Sequence, residues 1–306
     1  MEATVRPNLN NSPVVVAGST GVGKSAFAVD LALRIGGEVV CADAFQVYSG
    51  MALLTAQPGE ALTSRVVHHL YGIRDPSLSF DAAAYANLAR ERIDSISANG
   101  KIPVLVGGSG LYLKALTGGL DELPQPDPAL RRELSALPLT ECVERLRMAD
   151  PQAPGMIDCR NPRRVARALE IVLQTGKPLA QSRTADKPAG FPGVVLTRER
   201  GELDSRIERN VRAMFAAGVV EEVARLGAIG PTASRAIGLQ EIRDHLAGQL
   251  PLEDAIASIV LGTRRYAKRQ ATWFRHQTSL PVFGINDSSS PPDLMSRVIG
   301  LIGCRA

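Results

Sequence analysis

Residues 18–25 read G-S-T-G-V-G-K-S, which fits the phosphate-loop pattern G-x-x-x-x-G-K-[ST]. A short apolar segment, 13–17, precedes the pattern, and a helical segment, 25–35, follows it. Strand, glycine-rich loop and helix in this order are the context that the pattern requires. The glycines let backbone N–H groups converge on phosphate oxygens, and the helix N-terminus adds positive potential. The chain is therefore predicted to fold around a site of the ATP- and nucleotide-binding kind.

The predicted phosphate ligands are the residues of the loop itself. Lys24 supplies a full positive charge, and the Ser25 hydroxyl is placed to hold Mg²⁺. The complete predicted set is Gly18, Ser19, Thr20, Gly21, Val22, Gly23, Lys24 and Ser25.

Further apolar segments at 38–42, 102–106 and 194–196 alternate with helical ones, among them 80–98. Strands that are apolar throughout indicate a parallel sheet covered on both faces, hence an α/β, P-loop NTPase-like core. From about 120 the pattern becomes helical and arginine-rich, which predicts an inserted all-helical domain. The predicted divisions are a flexible tail (1–12), the first part of the core (13–119), the helical insertion (120–190), the core continuation (191–285) with long helices at 203–226 and 252–277, and a loosely ordered tail (286–306).

A phosphate loop does not say what is done with the phosphates. The third strand ends in Gly107 and Gly108 without a carboxylate, and no Asn-Lys-x-Asp motif occurs, which argues against a GTPase or an ordinary ATPase. Asp43 follows the second strand, at the sheet edge where ligands bind. Its carboxylate could take a proton from a nucleophile, and the alternatives are a turn cap or a water-mediated Mg²⁺ contact.

The net charge of +4 is weak evidence for a polyanionic partner, but the basic residues cluster at 160–170 and 264–275. On a helix, Arg264, Lys268 and Arg275 share a face. Tyr266, Trp273 and Phe274 interleave with them, which suits RNA, and the alternative is a solvated basic face with core aromatics. With no membrane-length apolar run and no secretory signal, we expect a cytoplasmic protein without a membrane partner.

Taken together, these segments resemble the bacterial tRNA dimethylallyltransferases, also called tRNA isopentenyltransferases. The resemblance runs from about residue 14 to 275. Its marks are the phosphate loop and the segments 42–48 (A-D-A-F-Q-V-Y), 107–112 (G-G-S-G-L-Y), 161–170, 203–209, 234–238 and 263–275.

The resemblance implies transfer of the dimethylallyl group of dimethylallyl diphosphate to the exocyclic N6 amine of an adenosine, with release of diphosphate. That adenosine lies 3′ of the anticodon in tRNAs that read codons beginning with U. Asp43 would accept the proton, Thr20 would lie nearby, and Lys24 and Arg206 would hold the departing diphosphate with Mg²⁺.

The resemblance also implies that the protein, expected to be a monomer, contacts the anticodon stem-loop of tRNA. The residues implied to contact the flipped base are Asp43, Ala44, Phe45, Gln46, Arg235, Ala236, Ile237, Gly238, Leu239 and Gln240. Those implied to contact RNA near the mouth of the channel are Ser109 and Arg131. Those in the insertion implied to contact the stem-loop are Pro162, Arg163, Arg164, Val165 and Ala166.

The chain departs from the family pattern at a few positions. Leu54 and Gln57 stand where the family has glycine and lysine, Leu239 and Gln240 where it has tyrosine and lysine, and Ser19 where proline is common. Three other functions remain open: a P-loop small-molecule kinase, an adenylate isopentenyltransferase acting on free nucleotide, and an RNA-binding module with a nucleotide switch.

Overall fold

The structure is a computed structural model that describes residues 12–119, 123–124, 127–182, 190–286 and 291–303. The chain divides into two compact units, one formed by Met1–Thr117 with Pro188–Ala306 and the other by Gly118–Lys187. The tail predicted at 1–12 lies outside the described residues except for position 12.

The first unit contains a parallel sheet, which confirms the predicted α/β class. Its strands pair in the order β3-β2-β4-β1-β5-β6, and every neighbouring pair is parallel. Four strands match the predicted ones closely, whereas the short β3 and β6 have no apolar run that sequence reasoning could detect. The bounds are β1 Val14–Gly18, β2 Gly37–Cys41, β3 His68–His69, β4 Ile102–Gly107, β5 Gly193–Thr197 and β6 Val282–Gly284.

Helices cover both faces of the sheet. Side chains alternate along each strand, so Val15 and Ala17 pack in one apolar cluster and Val14 and Val16 in the other. The helices of this unit are α1 Lys24–Ile35, α2 Glu60–Thr63, α3 Ala82–Ala98, α4 Gly110–Thr117, α9 Arg200–Ala216, α10 Val219–Ala224, α11 Leu239–Leu246, α12 Leu252–Gln277 and α13 Pro291–Gly303.

Two predictions for this unit need correction. The single helix expected at 203–226 is two helices, because the chain turns at Gly218 with a φ of 92°, a conformation that suits glycine. The tail expected to be loosely ordered from 286 contains α13, which buries Met295, Val298 and Ile302 against the sheet. Apolar residues spaced three and four apart form the buried face of α13. The prediction missed this helix because the segment before it is rich in Ser and Pro.

The second unit is helical in its described parts. Its helices are α5 Pro128–Ala136, α6 Leu139–Ala149, α7 Ala153–Met156 and α8 Pro162–Thr175. Leu134, Leu146 and Leu169 lie in its core. The buried Glu170 accepts hydrogen bonds from Arg131 Nε at 3.2 Å and Arg167 Nη1 at 2.7 Å, so a paired carboxylate also links α5 to α8.

Candidate active site

A cavity of about 350 Å³ opens at the carboxyl ends of β1, β2 and β4. This is the edge where ligands bind in open α/β sheets. One part of its lining is polar and belongs to the phosphate loop, Asp43 and Arg206. The other part is mainly apolar and comprises Leu53, Leu54, Val211, Met214, Ile237 and Ile259.

The phosphate loop has the backbone that its glycines predict. Gly21 and Gly23 have φ values of 78° and 110°, which other residues rarely adopt. Lys24 begins α1, and its Nζ donates a hydrogen bond to the carbonyl oxygen of Ser19 at 2.8 Å. Val22, by contrast, is packed in the core beneath the loop, so its side chain cannot contact a ligand.

Burial lowers the pKa of Lys24 from 10.5 to about 8, and the negative charge of Asp43 partly opposes this shift. The ammonium therefore titrates within a pH range accessible to binding measurements. An anion in the loop would favour the charged form, so binding and protonation of Lys24 are linked.

We expect the affinity for a diphosphate ligand to change little near pH 7 and to fall above pH 8, approaching tenfold per pH unit, because Lys24 loses its charge as pH rises through a pKa of about 8. Isothermal titration with the unreactive thiolo analogue of dimethylallyl diphosphate from pH 7 to 9.5 measures this. A Lys24→Arg variant keeps its charge throughout and should show no such decline. Equal pH profiles for the two proteins would contradict the assignment.

Asp43 lies in the cavity wall beside the phosphate loop. Its Oδ1 accepts a hydrogen bond from the backbone N–H of Phe45 at 3.1 Å, so the carboxylate does cap a turn. Within the described chain, Oδ2 accepts no hydrogen bond, and it remains free to act on a ligand. One oxygen thus fixes the carboxylate while the other is left for chemistry. The turn cap and the proton acceptor, which the sequence left as alternatives, are therefore compatible in one residue.

Gln270 on α12 holds the phosphate loop, a role that no sequence motif predicted. Its side chain is 6% exposed; Oε1 accepts the Thr20 N–H at 2.8 Å, and Nε2 donates to the Gly108 carbonyl at 2.9 Å. A Cβ on Gly108 would lie 2.2 Å from Nε2, so this close approach requires glycine. Because the Thr20 N–H is bound to Gln270, it is not available to a phosphate.

Replacing Gln270 with methionine, which is similar in volume, should leave the Thr20 N–H and the Gly108 carbonyl without partners. We expect the free energy of unfolding to fall by about 1–3 kcal/mol. Urea denaturation measures it, with Gln277→Met at the exposed end of the same helix as the matched control. A loss no larger than that of the control would show that the contact is dispensable.

Two arginines hold the loop from α9 and the segment before it. Arg206 Nε donates to the Gly21 carbonyl at 3.1 Å and the residue lines the cavity; its expected contact with diphosphate stays a prediction. Arg198 was not predicted: its side chain is 5% exposed, it pairs with Glu202, and its Nε donates to the Val22 carbonyl oxygen at 3.3 Å. The loop is therefore held by arginine contacts that the motif alone does not indicate.

Gln46 is fixed by the turn that faces it. Its Nε2 donates to the carbonyls of Thr55 and Ala56 at 3.0 and 2.9 Å, so both amide hydrogens are used. Gln57, which stands where the family has lysine, donates from Nε2 to the carbonyls of Gln46 and Tyr48 at 3.0 and 2.8 Å. The departure at Gln57 thus has a structural role here.

Several predicted RNA contacts lie where a ligand can reach them. Ala44 and Phe45 are partly exposed, Ala236 and Ile237 line the cavity, and Arg235 and Gln240 are exposed. In the insertion, Arg131 is half exposed while paired with Glu170, and four residues at the start of α8 present accessible surface. They are Pro162, Arg163, Arg164 and Ala166.

Four predicted contacts need correction. Gly238, directly before α11, is buried and does not line the cavity. Val165 is 0% exposed in the core of the insertion, and Leu239 is buried in the core of the first unit, because both lie on the inner faces of amphipathic helices. Ser109 is also buried, and its Oγ accepts the Ala44 N–H at 2.8 Å. Ser109 therefore positions the Asp43 loop in this structure and presents little surface to RNA.

The basic face predicted on α12 is confirmed, since Arg264, Lys268 and Arg275 line a second cavity of about 600 Å³. Of the three aromatic residues in this segment, Tyr266 lines the first cavity and stays accessible to a ligand, whereas the other two pack inward. Phe274 is buried, and Trp273 packs edge-on against it and over Gly110. Trp273 and Phe274 thus fit the interpretation of core aromatics, and the RNA contact of the basic face stays a prediction.

The phosphate-loop motif assigns one protein ligand to Mg²⁺, the Ser25 hydroxyl. Ser25 lines the cavity. Among the described residues, no group of three or more His, Cys, Asp or Glu side chains could hold a metal. This fits a Mg²⁺ held mainly by substrate phosphates and water, which needs few protein ligands.

No helix in the described part of the chain is long and apolar enough to cross a bilayer.

Fold and site define a P-loop α/β protein whose phosphate loop faces a carboxylate and an apolar wall. The family model described as IPP transferase matches residues 46–277, and the chain belongs to this family. It is 40% identical to the tRNA dimethylallyltransferase of Akkermansia muciniphila, over 94% of this chain and 98% of that one. It is 43% identical to the tRNA dimethylallyltransferase of Geobacter sulfurreducens, over 87% and 90%.

Solved structures agree with this assignment. The full-length tRNA isopentenylpyrophosphate transferase of Bacillus halodurans superimposes with a TM-score of 0.71 and 35% identity, covering 95% of this chain and 97% of that one. A eukaryotic dimethylallyltransferase acting on tRNA has a TM-score of 0.82, 24% identity and coverage of 96% and 80%, a likeness that shows the fold alone.

Proposed function

We propose that this protein transfers the dimethylallyl group of dimethylallyl diphosphate to the N6 amine of the adenosine 3′ of the anticodon, in tRNAs that read codons beginning with U. The observation that carries the proposal is a single cavity that combines a phosphate loop, a carboxylate and an apolar wall. A diphosphate-activated alkyl donor and an amine that must lose a proton as it attacks need these three surfaces together. Such a protein would work in the cytoplasm, as a monomer.

In the proposed reaction, N6 forms a bond to C1 of the dimethylallyl group while the bond from C1 to the diphosphate oxygen breaks. The leaving diphosphate takes the electron pair of that bond, and its charge is met by Lys24, Arg206 and the amides at the start of α1. The N6 proton passes to Asp43 Oδ2, the oxygen that accepts no hydrogen bond from the described residues. Diphosphate and the alkylated adenosine are the products.

A bound Mg²⁺ would neutralise part of the diphosphate charge, with the Ser25 hydroxyl as its protein ligand. The apolar wall excludes water from the allylic carbon as positive charge develops there. Without such exclusion, hydrolysis of the donor would compete with transfer to the amine.

Gln46 is suited to recognise an adenine. Its amide hydrogens are bound to Thr55 and Ala56, so only Oε1 remains, and a carbonyl oxygen accepts from an amino group. A base carrying an oxygen in place of that amino group would meet two acceptors facing each other. We therefore propose Gln46, with Asp43, as part of the base pocket.

RNA binding is supported by the charge distribution of each unit. In the first unit, Arg264, Lys268 and Arg275 provide a basic face, and in the insertion Arg163 and Arg164 are exposed at the start of α8. Phosphate contacts by arginine and lysine supply most of the affinity of such proteins and make it salt-dependent.

The proposal is tested by incubating the protein with unmodified tRNA, Mg²⁺ and dimethylallyl diphosphate, followed by mass spectrometry of the digested nucleosides. We expect one adenosine per substrate tRNA to gain a five-carbon unit, and digestion into oligonucleotides places it beside the anticodon. Free AMP and ATP as acceptors test the alternatives. Alkylation of free AMP but not tRNA, or phosphorylation of a small alcohol by ATP, would overturn the proposal.

A further inference from the structure

A turn at 51–57 forms one wall of the cavity, and its own hydrogen bonds hold only its second half. The N–H groups of Thr55, Ala56 and Gln57 donate to the carbonyls of residues 51–53. Ala56 has a φ of 52°, which is uncommon for a residue with a side chain, so the turn needs support to keep this conformation. The first half of the turn is held by a residue far away in the sequence.

Glu222 on α10 provides that support. Its Oε2 accepts the Leu53 N–H at 2.9 Å and its Oε1 accepts the Leu54 N–H at 2.9 Å, across 169 and 168 positions of sequence. The residue is 8% exposed. Burying a carboxylate or a backbone N–H is costly unless the group is hydrogen-bonded, so the carboxylate and the two amides stabilise each other. Both oxygens are engaged, which fixes the turn at two adjacent points.

The turn in its place fixes the amide group of Gln46, which lines the same cavity. Gln46 Nε2 donates to the carbonyls of Thr55 and Ala56 at 3.0 and 2.9 Å. Because both partners are acceptors, the nitrogen must face the turn, and Oε1 is the atom left for a ligand. A glutamine amide without such partners can rotate by about 180° and exchange its donor for its acceptor.

We propose that Glu222, by anchoring the 51–57 turn, makes the base pocket select an amino group over a carbonyl oxygen; this rests on the function proposed above. With its amide fixed, Gln46 accepts from the N6 amine of adenine and faces the O6 oxygen of inosine acceptor to acceptor. With the turn loosened, the amide can rotate, and Nε2 then donates to O6. Glu222 is thus a positioning residue that acts on the base through Gln46.

The test measures the dissociation constants of two anticodon stem-loops, with adenosine or inosine 3′ of the anticodon. Binding is measured because inosine lacks the amine that reacts, and phosphate contacts, which are common to both RNAs, cancel in the ratio. We expect the wild-type protein to favour adenosine. Glu222→Gln keeps only one acceptor oxygen and should lower the ratio by about five- to tenfold, the worth of one hydrogen bond. Glu221→Gln, an exposed acid on the same helix, is the matched control and should leave the ratio unchanged.

Gln57 offers a second way to loosen the turn. Its Nε2 donates to the carbonyls of Gln46 and Tyr48 at 3.0 and 2.8 Å, and the residue is only partly buried. Gln57→Leu removes these bonds at similar side-chain volume and should lower the ratio in the same direction. If Glu222→Gln folds poorly, Gln57→Leu decides whether the turn sets the base preference.

A double-mutant cycle tests whether Glu222 acts through Gln46. Gln46→Ala should lower the ratio by itself, and Glu222→Gln added to it should lower the ratio no further. A further fall in the double variant would contradict the route through Gln46.

The remaining outcomes separate this inference from the proposed function. A wild-type protein that transfers no dimethylallyl group to tRNA would overturn the function. A wild-type protein that is active, with Glu222→Gln and Gln57→Leu keeping the ratio of the control, would overturn this inference alone. Equal weakening for both stem-loops would indicate a purely structural role of the turn and would also overturn it.

Discussion

Asp43→Asn is expected to lower kcat by about 10²–10⁴-fold, the usual contribution of a general base. The asparagine oxygen can still accept the Phe45 N–H, so the turn should persist while the basic oxygen is lost. Because the proton moves only in the transition state, kcat and kcat/KM should fall together, with tRNA affinity unchanged. Steady-state kinetics with labelled dimethylallyl diphosphate measures kcat and KM. A filter-binding assay measures the tRNA affinity.

The control for this variant is Asp75→Asn. Asp75 is also a loop aspartate whose Oδ1 accepts a backbone N–H, that of Ser77 at 2.8 Å, but it lies outside the cavity lining. Its substitution should leave kcat unchanged. An Asp43→Asn protein that retains activity near that of the control would exclude Asp43 as the base.

Lys24→Met is expected to lower kcat by about 10²–10³-fold, the effect of removing one group that stabilises developing negative charge. The variant keeps a long side chain but supplies no charge to the departing diphosphate. The KM for the donor should rise as well, because Lys24 also meets the diphosphate in the ground state. Single-turnover and steady-state kinetics together separate the two effects.

Lys101→Met is the control for the loss of a lysine. Lys101 pairs with Glu38 at 2.6 Å at the start of β4, outside the cavity lining. Its replacement should change neither kcat nor KM. If Lys24→Met altered only the affinity for tRNA, the phosphate loop would have to serve the RNA and not the donor.

The sequence predicted the parts of this site that are contiguous or that end a strand. The phosphate loop carries its whole geometry in eight residues, and Asp43 follows from the position of β2 in a parallel sheet. Apolar runs located the four central strands because both faces of those strands are buried. β3 and β6, with two and three residues, have too few side chains for such a pattern.

The supports of the site could not be predicted, because they come from distant positions. Gln270 reaches Thr20 across 250 residues, and Glu222 reaches Leu54 across 168. A buried glutamine or glutamate on a helix has no local signature that distinguishes it from an exposed one. Val165 and Leu239 were also predicted wrongly for lack of a local signature. Their motifs indicated RNA contact, but both side chains lie on the buried faces of their helices.

The most direct test of the proposed reaction is a crystal structure with the unreactive thiolo analogue of dimethylallyl diphosphate, Mg²⁺ and an anticodon stem-loop. We expect diphosphate oxygens within about 3 Å of the amides around Lys24, and the flipped adenine N6 within about 3 Å of Asp43. A diphosphate bound elsewhere, or an Asp43 carboxylate directed away from the adenine, would contradict it.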